Sequence, residues 1–158
     1  MANDIWAPLR FFEGDWIGTG QGEPGTAEVT RGYHFVLEGR YLQVHSRSAW
    51  KPTQQNPQGE IHTEMGMFSL DKARQLFVFR VFHVEGFVNQ YVQELPVAES
   101  NSLRFLSEAI ENIAPGWRAQ ETYQLIGPDE FVETFELAAP SEDFKLYTQS
   151  RFKRVVAR

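Results

Sequence analysis

Turn-forming clusters interrupt this chain at short, regular intervals, and that rhythm restricts its fold more than any other feature. Gly20–Gly25, Lys51–Gly59, Leu70–Arg74, Glu85–Gly86, Pro96–Ser102, Ala114–Gly116, Gly127–Glu130 and Ala138–Asp143 are the interruptions. Between them lie segments of roughly 7–12 residues rich in Phe, Val, Tyr, Thr and Leu, residue types that suit a pleated, half-buried surface. Ten strands are predicted, near 14–20, 27–37, 39–50, 60–70, 75–84, 86–95, 102–112, 117–126, 130–138 and 144–154. A sheet of that size exposes long unpaired edges unless it closes on itself. The expected fold is therefore all-β: a closed antiparallel up-and-down barrel of about ten strands, in one domain spanning 1–158. The stretch from Trp6 to Gly14 predicts a short helical turn, with Trp6, Leu9, Phe11 and Phe12 plugging one end.

Alternation sets the faces. Phe131, Phe135 and Leu137 share one side of their segment, and Phe144, Leu146, Thr148, Ser150 and Phe152 share one side of theirs. A period of two with one polar face marks a sheet covered on one side. Residues 76–84 are apolar on both faces apart from Arg80 and His83, which predicts a strand covered on both. Leu103, Leu106, Ile110 and Ile113 also fit a helical spacing. The segment 102–113 is read as strand because its neighbours are strands joined by short turns.

Composition narrows the function classes. At 158 residues, with 42% hydrophobic and 23% charged side chains, the chain can bury about 70% of its unfolded surface, enough for a core with an internal cavity. The absence of cysteine removes disulfides, thiolate metal sites and Cys nucleophiles together. A net charge of −6 gives no field for a phosphate backbone, so no nucleic-acid partner is expected. The one basic cluster, Arg151, Lys153, Arg154 and Arg158, reads as a solvated terminus. No secretion signal opens the sequence and no apolar run nears a membrane span, so no membrane partner and a cytoplasmic location are expected.

Two glycine patterns differ in weight. Gly20-Gln-Gly22-Glu-Pro-Gly25 spells a dinucleotide fingerprint, but that loop must open a helix whose N-terminus holds pyrophosphate. Here β character follows, and Pro24 removes a backbone donor. Gly14-Asp-Trp16-Ile-Gly18-Thr-Gly20, with basic residues near the chain's end, resembles the calycin barrels, which include lipocalins and fatty-acid-binding proteins. The resemblance implies that Trp16 packs under a basic residue of the last strand and closes the barrel base; Arg151 is the expected partner, with Arg154 the other candidate.

Within that group, Pro8-Leu9 ahead of the Gly-x-Trp run, together with His62-Thr-Glu64-Met-Gly66, resembles the nitrobindin-like family. Leu37-Glu-Gly39-Arg40-Tyr41-Leu42 is similar to uncharacterised bacterial calycin-like proteins. The nitrobindin resemblance would imply haem held by an axial His near the C-terminus. No histidine follows His83 and the region reads Phe144-Lys-Leu-Tyr147, so no haem or other cofactor is expected.

Four histidines, His34, His45, His62 and His83, form no H-x-H or H-x-x-x-H pair, and no metal site is expected. His45 and His62 flank the 51–59 loop and meet only if strand register permits. Charges on apolar faces carry the functional reading, because a charge taken out of water needs a partner or a wet lumen. Glu133 stands between Phe131 and Phe135, Glu121 shares a face with Tyr123 and Leu125, and Arg80 lies between Val78 and Phe82. His62, Glu64, Arg80, Glu121, Tyr123 and Glu133 are thus the expected ligand-binding residues. The leading expectation is a barrel whose cavity binds a small, partly hydrophobic molecule. A cofactor-free isomerase or lyase using lumen carboxylates or His62, and a barrel filled by its own side chains, are the alternatives; homodimerisation stays open.

Overall fold

In the computed structural model, residues 3–96 and 99–156 are described; Arg158 of the basic terminal cluster lies outside them. Ten strands form one closed antiparallel barrel: β1 (Gly14–Gly22), β2 (Gly25–Val36), β3 (Tyr41–Trp50), β4 (Glu60–Asp71), β5 (Leu76–His83), β6 (Val88–Gln93), β7 (Ser102–Glu111), β8 (Arg118–Gly127), β9 (Glu130–Ala138) and β10 (Lys145–Arg154). Each strand pairs with its sequence neighbours, and β1 pairs with β10 to close the circle. Within the 102–113 segment, Ser102–Glu111 is strand, as its neighbours demand. No helix of the described residues is long and apolar enough to cross a membrane.

Boundaries move where the backbone forces them. β3 begins at Tyr41 rather than 39 because Leu37, Glu38 and Gly39 all take positive φ, which ends extended pairing. A register shift between Leu146 and Thr148 reverses the phase of β10. Leu146 therefore turns outward, 54% exposed, instead of joining Thr148, Ser150 and Phe152 inside. β5 is covered on both faces only around Phe77, Val78 and Phe79; Phe82, on the outer face, is 58% exposed.

One end of the barrel, its base, is plugged; the opposite end is its mouth. At the base a 3-10 turn (Arg10–Phe12) brings Leu9 and Phe12 into the bore, both fully buried with Trp6. Phe12 meets Phe131 edge-on at 5.0 Å, and Phe131 stacks on Phe152 at 4.8 Å. Such contacts add about 0.5–1.5 kcal/mol each beyond area burial. Gly18, opposite Phe152, makes the β1–β10 seam possible: a Cβ there would stand 2.8 Å from the Phe152 ring and 2.6 Å from the Arg151 carbonyl.

Arg154 fastens this base. Its guanidinium lies 4.3 Å from the Trp16 ring centre, where the ring's negative face attracts it. It donates to the carbonyls of Phe11 and Glu13, both at 2.7 Å, and to the Asp129 carboxylate at 2.9 Å. The Trp16 indole N–H donates to the Phe12 carbonyl at 2.8 Å. Arg151 does not take this place. One residue of alternation and the Thr19 register position turn it outward, where it pairs with Glu130.

Candidate functional site

Alternation along the strands carries polar side chains into the upper bore. On β2 the inward set is Ala27, Val29, Arg31, Tyr33 and Phe35, so Arg31 is buried between apolar neighbours. Its Nε donates to Ser46 Oγ at 3.0 Å, one terminal nitrogen donates to the Tyr33 hydroxyl at 3.2 Å, and the other donates to Glu133 at 3.2 Å. A second, short contact completes a bidentate pair with Glu133. The guanidinium also lies 4.4 Å from the Phe152 ring centre. Burial works against the Arg31 charge, but Glu133, Tyr33 and Glu64 outweigh it and raise its pKa well above the usual value.

Beside this pair sits a second cluster on β4 and β5. His62 and Glu64 are two apart on one strand and share its inner face, and the ladder sets His83 directly opposite Glu64. His62 Nε2 lies 3.2 Å from Glu64 Oε2, His83 Nδ1 lies 3.2 Å from the same oxygen, and the two ring nitrogens are 3.3 Å apart. His62 Nδ1 meets the Glu85 carboxylate at 2.6 Å. The Glu64 hydrogen bond, aided by Glu85 and opposed by burial, raises the His62 pKa to about 9. Burial alone would raise the Glu64 carboxyl, yet His62, His83 and Arg31 hold it well below the carboxylate range.

A third group completes the wall on β8. The Tyr123 hydroxyl donates to Glu121 in a short hydrogen bond. Burial pushes the Glu121 carboxyl well above the carboxylate range, and the nearby charges of Glu133 and Glu64 push the same way. On β6, Asn89 donates to the Tyr91 hydroxyl at 2.9 Å, and its carbonyl oxygen Oδ1 is buried without a partner. Toward the mouth the inward positions turn apolar again. Trp50, Ile110, Phe135 and Leu137 point into the bore and pack on the core, yet each is only partly buried.

The structure therefore brings together five of the six sequence-predicted residues, His62, Glu64, Glu121, Tyr123 and Glu133. Arg80 is a correction. It lies on the outer face of β5, donating to Gln90 at 3.1 Å and Ser69 at 3.4 Å. β5 is apolar on both sides, so its sequence could not say which face was inner. His45 and His62 do not meet, because His45 pairs with Met65 on the outer face while His62 pairs with Ser48. Arg31 and His83 were missed. For Arg31 the signal was present, a lone charge in the Ala27-Val29-Tyr33-Phe35 alternation; His83 needed the β4–β5 register.

A concavity of about 750 Å³ lies against β1–β5. It is a groove over the outer faces of β1–β5, bordered by outward side chains such as Ile17, His45, Met65 and Phe82. Arg31, Ser46, Glu64 and His83 of the clusters described above border it as well.

Comparison with known proteins places the architecture but not a family. No protein-family model matches the chain. No curated protein matches it in sequence. Among solved structures it is similar to Rv2717c from M. tuberculosis, with a TM-score of 0.73 and 14% identity over 99% of this chain and 100% of that one. It also overlays, at a TM-score of 0.49, on a de novo designed fluorescence-activating β-barrel, 12% identical over 97% of this chain and 100% of that one. A redesigned barrel, mFAP0, bound to DFHBI, gives 0.49 and 9% identity over 92% and 100%. At these identities the likeness is one of fold alone, that of a closed antiparallel β-barrel.

Proposed function

We propose that the chain is a binding barrel that takes a small, partly apolar molecule through its mouth. One observation carries the reading: inward-facing Trp50, Ile110, Phe135 and Leu137 stay partly exposed beside and above buried polar groups. Apolar walls that end on a few fixed donors and acceptors are the usual makeup of a small-molecule site. Glu121, whose raised pKa favours the neutral acid, and the unpartnered Asn89 Oδ1 supply one donor and one acceptor for a ligand's polar end.

The nitrobindin-like resemblance of the motifs supports the barrel but not haem. No histidine lies on β9 or β10, and the floor facing them is occupied by the Arg31–Glu133 pair. Native mass spectrometry of the purified, tag-free protein tests the binding reading. A single small adduct released on unfolding supports it. A bare chain that also ignores apolar probe molecules overturns it.

A second reading, a cofactor-free isomerase or lyase, is favoured by Glu121 alone, since a buried carboxyl with a raised pKa suits general acid–base work. Turnover lost in Glu121→Gln while binding persists supports the enzyme; binding without turnover of any bound compound removes it.

A further inference from the structure

We propose that His62, Glu64 and His83 form a site for one zinc ion at the mouth of the barrel. The proposal is independent of the organic ligand, because it rests on the geometry of these three side chains. Their facing atoms, His62 Nε2, Glu64 Oε2 and His83 Nδ1, form a nearly equilateral triangle with sides of 3.2, 3.2 and 3.3 Å. Three ligands at zinc's bond lengths of about 2.0–2.1 Å stand about 3.3–3.4 Å apart in a tetrahedron. In an octahedron the same bonds would separate them by only about 2.8–3.0 Å. The observed spacing falls nearer the tetrahedral edge, which favours zinc.

The surroundings agree. His62 Nδ1 is engaged by the Glu85 carboxylate at 2.6 Å, which holds a proton at Nδ1, so that a metal ion would displace only the proton Nε2 shares with Glu64. A carboxylate behind a ligating imidazole is the common outer support of a metal-bound histidine. Arg31 approaches the other oxygen of Glu64, Oε1, at 3.8 Å and leaves Oε2 to the triangle. His83 faces the triangle with Nδ1; its Nε2 is buried and unpartnered, so outer support comes through His62 alone. Once His62 gives up its extra proton to an incoming metal, Glu64, Glu85 and Glu133 stand against Arg31 alone, three negative charges to one positive, a balance a dication neutralises. Without metal, two ring nitrogens and one carboxylate oxygen crowd together and need a proton to hold them. The fourth tetrahedral position remains for water or a ligand's oxygen or nitrogen.

The test uses the full, tag-free chain after chelator treatment. Titration with zinc chloride is expected to show one saturable site per chain. Long-range proton–nitrogen NMR of the imidazoles is expected to move His62 Nε2 and His83 Nδ1, leaving His34 and His45 in place. Cobalt(II) is expected to give the intense visible bands of tetrahedral coordination. Replacing the outer support with Glu85→Gln should weaken zinc binding roughly ten- to a hundredfold, and His83→Asn should abolish it, while His45→Asn on the outer face leaves it unchanged. No saturable binding at micromolar zinc, or shifts confined to His34 and His45, would overturn the proposal. The spectra of the unsubstituted chain decide the matter even if a variant fails to fold.

Discussion

Arg31 on β2 and Glu133 on β9, 102 residues apart in sequence, form a bidentate ion pair across the bore, with side chains 6% and 12% exposed. Removing one partner from such a pair leaves an uncompensated buried charge, which costs far more than the pair is worth. Glu133→Ala is therefore expected to destabilise the fold by about 3–5 kcal/mol in urea unfolding. The double replacement Arg31→Met with Glu133→Leu is expected to recover most of that loss. A double variant as unstable as the single one would show that the pair's worth is specific rather than compensatory.

The base is held by Arg154 and not by Arg151. Arg154→Ala removes a ring contact and hydrogen bonds to Phe11, Glu13 and Asp129, and is expected to cost about 1–3 kcal/mol. Arg151→Ala breaks only an exposed pair with Glu130 and is expected to change stability by less than about 0.5 kcal/mol. Thermal unfolding of the two variants side by side checks the assignment, and equal losses would refute it.

Glu121 gives the fold a pH signature. Its pKa is raised in the native state, by burial first and by Glu133 and Glu64 next. The native state then holds a proton that the unfolded chain releases, so this contribution is complete below the unfolded carboxyl value of about 4.5 and fades as pH rises from there. Glu121→Gln, which stays neutral, is expected to flatten the decline in stability between mildly acidic and alkaline pH. An identical pH profile in variant and parent would mean that Glu121 is charged and compensated in the native state.

Haem chemistry is expected to be absent. Incubation with hemin followed by desalting should leave no stoichiometric Soret band, because β9 and β10 offer no imidazole. A stable band abolished by His62→Ala would instead give His62 the axial role.

Much of this architecture was legible in the residues. Turn clusters and period-two alternation located all ten strands within about two residues, because a half-buried strand writes its two faces directly into the sequence. Glu121 and Glu133 stood out for the same reason, as charges in apolar runs. What alternation cannot show is phase and register. Arg80 sits in a strand apolar on both sides, so inner and outer faces look alike. Leu146 follows an apparently unbroken alternation that a bulge then reverses. His83 reaches Glu64 only through the β4–β5 ladder, a pairing no local pattern encodes.

A guest is expected to enter the bore and not the groove on the outer face of β1–β5. Amide and indole NMR shifts during titration with an apolar anionic probe such as anilinonaphthalene sulfonate separate the two sites. Shifts are expected at the Trp50 indole, Ile110, Phe135 and Leu137. Shifts confined to Ile17, Met65 and Phe82 would contradict it.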